Sequence, residues 1–143
     1  MSLEIALKHL VMQYKIHPIL ASFTAALVPV SLASDLLERL SGKKSLGETG
    51  WWTMFYAACV TPMTAAAGWL FWMKDDVGVR GMMIHKWLGT SFAVLLPLLM
   101  LWRWRFHARK QRPDAAYLLI GLLGVALLAY QGSLGGAQVF KDM

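Results

Sequence analysis

The sequence predicts an all-α integral membrane protein, a four-helix up-down bundle with a short N-terminal interfacial helix. Composition is the first observation: 57% of the 143 residues are hydrophobic and only 15% are charged, against about 25% charged in soluble domains. The second is four uncharged stretches, at 16–34, 49–73, 87–102 and 115–140. Because a helix crosses a bilayer with about 17–25 residues, four spans within one domain, residues 1–143, use nearly the whole chain.

The N-terminal segment has the pattern of an amphipathic helix. Its apolar side chains share one face of a helix, and they are Leu3, Leu7, Leu10, Val11 and Tyr14. Such a helix lies along the membrane surface. The apolar run that follows opens with Ile16-His17-Pro18 and lacks a convincing small-residue cleavage site, so we expect it to be retained as the first span.

We place the four spans at approximately 17–37, 51–73, 82–103 and 115–134. Tryptophans mark their boundaries, as is typical of headgroup depth, with Trp51, Trp52, Trp102 and Trp104 at one surface and Trp69, Trp72 and Trp87 at the other. The predicted connections, 38–50, 74–81 and 103–114, are too short for an extramembrane domain. We find no convincing internal repeat.

The net charge of +6 does not indicate nucleic-acid binding, because the basic residues concentrate in the predicted loops. Loops one and three hold eight Lys and Arg residues, and the opposite surface holds six. The positive-inside rule then puts both termini in the periplasm, for a protein of the bacterial inner membrane in contact with the lipid bilayer. Asp35 is expected at a solvated helix end and Arg103 in a basic loop.

Two histidines carry the functional prediction. His17 opens span one and His85 lies in the first turns of span three, so both face the same membrane surface. In an up-down bundle these helices are diagonal neighbours, about 13–14 Å apart, which suits a b-type haem with both imidazoles on the iron. Ala21 and Gly89 follow one turn later and leave room for the macrocycle.

Other residues complete this hypothesis or compete with it. Arg80 and Lys86 are the expected partners of the haem propionates, and each histidine has the alternative of a merely interfacial role. His107 is expected to be solvated among basic residues. Met82 and Met83 beside the histidine at position 85 leave a copper site open, since thioethers and imidazole suit Cu(I).

The chain resembles a bacterial family of predicted four-helix membrane proteins catalogued as domain of unknown function 2231. The matching elements are His17-Pro18, Asp35-Leu36, Ala65-Ala66-Ala67-Gly68, His85 with Leu88, and Leu134-Gly135-Gly136 with Val139-Phe140. Gly89 and Phe140 depart from it, standing where an asparagine and a tyrosine are expected. Family members look like electron-transport components, some fused to Rieske-type or cytochrome domains, so the resemblance implies a link to haem or quinone.

The sequence thus predicts a cytochrome b-like membrane electron-transfer protein. It would bind one haem b between spans one and three and link a redox protein or larger membrane complex to the quinone pool. One alternative is a cofactor-free anchor or accessory subunit of a respiratory or photosynthetic complex, and another is copper or small-solute handling. We find no nucleophile with a base and no paired carboxylates, so an electron carrier is favoured over a stand-alone enzyme; the oligomeric state stays open.

Overall fold

The computed structural model describes residues 16–71 and 80–139, with residues 3, 5–7 and 9 before them. It contains four long helices, α1 (Ile16–Ser41), α2 (Lys44–Phe71), α3 (Arg80–Ala108) and α4 (Ala115–Val139). The prediction of an all-α four-helix bundle is confirmed. The described N-terminal residues are also helical, with Leu3 and Leu7 exposed, in agreement with an interfacial helix; the rest of its apolar face lies outside the described residues.

Three of these helices are long and apolar enough to cross a membrane: α1, residues 82–108 of α3 and residues 115–136 of α4. Helix α2 is just as long, with 28 residues, and is not one of these three. It runs antiparallel to α1 and α3 and packs against both. The four helices therefore run alternately up and down in the bundle.

The helices extend beyond the predicted spans. Helix α1 continues to Ser41 and α2 begins at Lys44, so the first connection is two residues long rather than 38–50. Helix α3 continues to Ala108, which shortens the predicted 103–114 connection to 109–114. The helices run past the predicted span limits because charged residues stop a span but not a helix, whose backbone hydrogen bonds continue into the headgroup region. Most of the predicted 74–81 connection lies outside the described residues.

Local signals explain where the helices stop and start. Gly42 has a positive φ of 77°, a conformation that glycine adopts without steric cost, and its N–H donates to the Glu38 carbonyl at 2.9 Å. The left-handed conformation of Gly42 therefore ends α1, as is common at helix C-termini. Asp114 caps α4, because its Oδ1 accepts the Tyr117 N–H at 2.8 Å.

The packing pattern makes α1 and α3 diagonal neighbours. Each packs against both α2 and α4, and their own backbones do not meet within the described residues. Apolar side chains from all four helices fill the centre, among them Val28, Leu32, Met54, Phe92, Leu96 and Leu128. Polar contacts across the diagonal occur nearer the two ends of the bundle, and these define the candidate site.

Candidate functional site

The structure brings His17 and His85 together across the diagonal. Their ring centroids are 6.1 Å apart and the ring planes are nearly perpendicular, at 88°. Both residues are half-buried and lie at the same end of the bundle, near the starts of α1 and α3. Two residues 68 positions apart in the chain (17 to 85) therefore meet between helices whose backbones do not touch.

Each imidazole is oriented by a backbone carbonyl of the next helix. The Nδ1 of His17 lies 2.9 Å from the Thr64 carbonyl oxygen on α2, and the Nδ1 of His85 lies 2.9 Å from the Gln131 carbonyl oxygen on α4. Because a carbonyl oxygen only accepts, each Nδ1 carries the hydrogen and donates it. In the neutral ring the lone pair is then on Nε2, and this is how proteins commonly orient a metal-binding histidine.

Two glycines allow the helix backbones to approach the rings. A Cβ atom at Gly68 would lie 2.8 Å from Cε1 of His17, and one at Gly135 would lie 2.8 Å from Cε1 of His85. Nonbonded carbon atoms prefer separations of about 3.5–4.0 Å. Neither position therefore accepts a side chain while the imidazole stays in place, whereas a Cβ at Gly132 would meet nothing within 4 Å.

The two helical hairpins carry the same contacts at the same level. Thr64 and Gly68 on α2 contact one histidine, and Gln131 and Gly135 on α4 contact the other. Both α2 residues have their α4 counterparts 67 positions later (64 to 131, 68 to 135). The two halves of the bundle thus make matching contacts around the histidine pair.

A second pair crosses the same diagonal at the other end. Arg103 on α3 donates from Nε and Nη2 to the two carboxylate oxygens of Asp35 on α1, at 3.0 and 2.9 Å. Nη2 also donates to the Gly47 carbonyl at 3.0 Å. Asp35 is 0% exposed and Arg103 is 2% exposed, so this is a fully buried, bidentate ion pair.

This ion pair corrects two expectations. Asp35 does not lie at a solvated helix end, because Gly50 of α2 lacks a side chain and its backbone packs directly against the carboxylate. Arg103 does not lie in a loop, because α3 continues five residues beyond it. A detectable signal did exist: Asp35 follows His17 by 18 residues and Arg103 follows His85 by 18, which is five helical turns and returns to the same face.

The residues predicted to surround a haem lie close to the histidines, with other contacts of their own. Ala21 is half-buried on α1, and Gly89 packs against the side-chain amide of Gln131. The Lys86 ammonium lies over the Trp69 ring, 3.3 Å from its centroid. Residue 80 begins α3, but its side chain is outside the described part, so the place of the predicted propionate partner Arg80 is not defined.

The residues considered for a copper site, and His107 at the far surface, have different surroundings from the histidine pair. Met83 is 39% exposed and Met82 is half-buried, so the two thioethers do not line one common interior site. His107 stacks on Trp51 with centroids 4.2 Å apart and approaches Glu48 at 3.9 Å; it is half-buried rather than freely solvated.

The donor set limits which metal group the bundle can hold. Among residues 16–71 and 80–139, and the few described before them, no three His, Cys, Asp or Glu side chains converge as ligands. A structural zinc site needs about four protein ligands, which the histidine pair does not supply. A haem iron needs only one or two axial ligands from the protein, since the macrocycle occupies its other positions.

Fold and site together define an integral membrane four-helix bundle with a diagonal histidine pair at one end and a buried ion pair at the other. The model of the family described as predicted membrane protein, DUF2231, matches residues 13–143. The chain therefore belongs to this family, as the sequence motifs indicated. No curated protein matches the chain, and no solved structure matches it.

Proposed function

We propose that this protein is a cytochrome b-like electron carrier that holds one b-type haem between α1 and α3. His17 and His85 would be the two axial ligands. The bound haem would supply reversible one-electron transfer. The role of the chain would be to fix the iron ligands, exclude water and present the group near one membrane surface.

The observation that carries this proposal is the spacing and tautomer of the histidine pair. An imidazole nitrogen lies about 2 Å from the first-row metal ion that it binds, so two imidazoles on opposite sides of one metal have ring centres about 6 Å apart. The centroids are 6.1 Å apart. Both Nδ1 atoms face helix carbonyls, which supports Nε2 as the proposed ligand atom of each ring.

The surrounding residues fit this role chemically. Gly68 and Gly135 hold the backbone close to the rings, which restricts how the imidazoles rotate. Lys86 follows a ligand in the sequence, and with Arg80 it is the proposed partner of the propionates, since cationic donors pair with carboxylates. To pair with a propionate, the Lys86 ammonium would have to move away from the Trp69 ring, over which it lies in the structure.

The redox partners follow from the position of the pair and from the family resemblance. Because the histidines lie near one end of the bundle, a soluble or membrane redox protein would dock at that surface. The resemblance to electron-transport components supports quinone as the second partner. The inner-membrane location and the periplasmic termini belong to the same proposal, supported by the distribution of Lys and Arg.

A cofactor-free accessory subunit is the second candidate. Open glycines on α4 favour it, because a Cβ at Gly124, Gly132 or Gly136 would meet nothing within 4 Å and small residues let another helix approach closely. In that case the histidines would be packing residues, and the lipid-facing surfaces would dock larger helices of a complex.

The decisive experiment is the reduced-minus-oxidised absorption spectrum of the detergent-purified protein, made in haem-sufficient cells, with a pyridine haemochrome assay. We expect a low-spin b-type spectrum and about one haem per chain. His17→Ala and His85→Ala should each abolish it, since each removes one axial ligand. His107→Ala is the matched control and should leave it unchanged.

Two results would reject the haem proposal. One is a featureless spectrum of the wild-type protein from haem-sufficient cells, which would make the accessory subunit the working hypothesis. The other is a full low-spin spectrum in either ligand variant, which would show that the iron is held elsewhere.

A further inference from the structure

The outer face of α3 carries a notch at the end of the bundle opposite the histidine pair. It has a volume of about 460 Å³ and is lined by Leu101, Trp104, Arg105, Ala108 and Arg109. These positions follow the i, i+3, i+4 pattern of one helix face. They run from position 101 to position 109, eight steps or about 12 Å along the helix axis, and the face that they form points away from the core.

The notch is apolar at one end and cationic at the other. Leu101 and Trp104, each more than half exposed, form its end nearer the membrane centre. Arg105 and Arg109 lie at successive turns towards the helix end, and the small side chain of Ala108 leaves the gap between them. A phospholipid presents the same order of groups, with acyl chains first, then the glycerol and the headgroup phosphate.

The charges of this surface leave the two arginines available. The surface carries eight Lys and Arg residues and four Asp and Glu residues, an excess of four positive charges (eight minus four). Among the described residues the acids have other contacts: Asp35 binds Arg103, and Glu48 approaches His107. Arg105 and Arg109 form no ion pair with any residue that the structure describes.

We propose that this notch binds one anionic phospholipid, with the headgroup phosphate between Arg105 and Arg109 and an acyl chain along Leu101 and Trp104. Arginine suits this task because its planar guanidinium donates two parallel hydrogen bonds to phosphate. Basic pockets at the membrane surface of helical bundles recognise anionic headgroups in this way. The proposal does not depend on haem, so it stands or falls separately from the electron-transfer function.

The test is lipid binding to the delipidated protein in neutral detergent, followed by native mass spectrometry. Dioleoyl-phosphatidylglycerol is the anionic probe and dioleoyl-phosphatidylcholine the zwitterionic one. We expect one phosphatidylglycerol per chain to bind about tenfold more tightly than phosphatidylcholine. Both headgroups carry the phosphate, but only choline adds a positive charge that the two arginines repel, and net attraction to anionic lipid is worth about 1 kcal/mol per basic residue. Arg105→Gln/Arg109→Gln should remove this preference.

Two further variants separate the notch from the general charge of the surface. Lys43→Gln/Lys44→Gln removes the same two charges at the same surface but outside the notch, and it should keep the preference. Ala108→Leu fills the notch without changing the charge, and it should weaken phosphatidylglycerol binding about tenfold.

Three results would overturn the proposal. The first is an equal loss of preference in the lysine and arginine double variants, which would indicate surface charge alone. The second is an undiminished preference in Arg105→Gln/Arg109→Gln. The third is displacement of the lipid by inorganic phosphate in the same concentration range, which would show that the site recognises free phosphate rather than a lipid.

Discussion

Removal of the Asp35 carboxylate is the sharpest test of how the bundle is held together. In Asp35→Ala the Arg103 guanidinium loses the two hydrogen bonds at 2.9 and 3.0 Å and keeps the one to the Gly47 carbonyl. Arg103 is only 2% exposed, so water cannot replace the lost partner without opening the helix ends. Removal of one member of a buried ion pair costs about 3–5 kcal/mol, and we expect the free energy of unfolding to fall by that amount.

A double variant separates the loss of the ion pair from the cost of leaving the Arg103 charge buried without its partner. Asp35→Leu/Arg103→Met removes both charges and leaves apolar side chains of similar length between α1 and α3. Replacement of a buried ion pair by apolar residues is often neutral or stabilising. The double variant should therefore be clearly more stable than Asp35→Ala, with a non-additivity of several kcal/mol in the corresponding cycle.

The assay is reversible unfolding in mixed micelles with increasing SDS, followed by far-UV circular dichroism. Glu48→Ala is the matched carboxylate control, because the Glu48 side chain is 61% exposed and a surface substitution changes stability by about 0.5 kcal/mol or less. The reasoning fails if Asp35→Ala behaves like Glu48→Ala. It also fails if the double variant is as unstable as the sum of the two single changes.

Two further predictions concern helix backbones. Gly68→Ala and Gly135→Ala should each destabilise the bundle by about 1–2 kcal/mol. Overpacking costs about 1–3 kcal/mol, which exceeds the gain of about 0.5–1 kcal/mol from a better helix former. Gly132→Ala is the control: its Cβ would have open space around it, so this variant should be neutral or stabilising in the same SDS titration. Asp114→Ala should cost about 0.5–2 kcal/mol through loss of the α4 cap, and an unchanged unfolding midpoint would show that this cap is dispensable.

Charge and hydropathy were enough to predict the bundle and to put its two histidines at one end of it, but not to show that the rings converge. The uncharged stretches gave four helices, and the order of the helices placed His17 and His85 on one diagonal. The helices run past the uncharged stretches, because Glu38, Arg39 and Arg103 are charged and yet helical. The charge of Arg103 is compensated by Asp35, which lies 68 residues away in the chain. No local sequence pattern reveals that contact.

The atoms that orient the imidazoles could not be predicted. They are the carbonyl oxygens of Thr64 and Gln131, and every residue has a carbonyl, so no side-chain pattern marks them. Gly68 and Gly135 do have a signature, since each lies one turn beyond one of these carbonyls. Small residues in membrane helices usually indicate helix packing, which hid their second role against the rings.

The two diagonal pairs differ in what each can do alone. Asp35 and Arg103 satisfy one another, because one carries the donors and the other the acceptors. Two neutral imidazoles that both donate from Nδ1 to helix carbonyls have only acceptors left on Nε2, so neither can donate to the other. Protonation of both rings would give each a second donor, but it would also put two positive charges about 6 Å apart. This chemistry supports the proposal that the His17–His85 pair binds a group that accepts an electron pair from each neutral ring, as a haem iron would. Loss of either histidine would leave one protein ligand for the iron, so the low-spin spectrum should disappear even where haem stays bound.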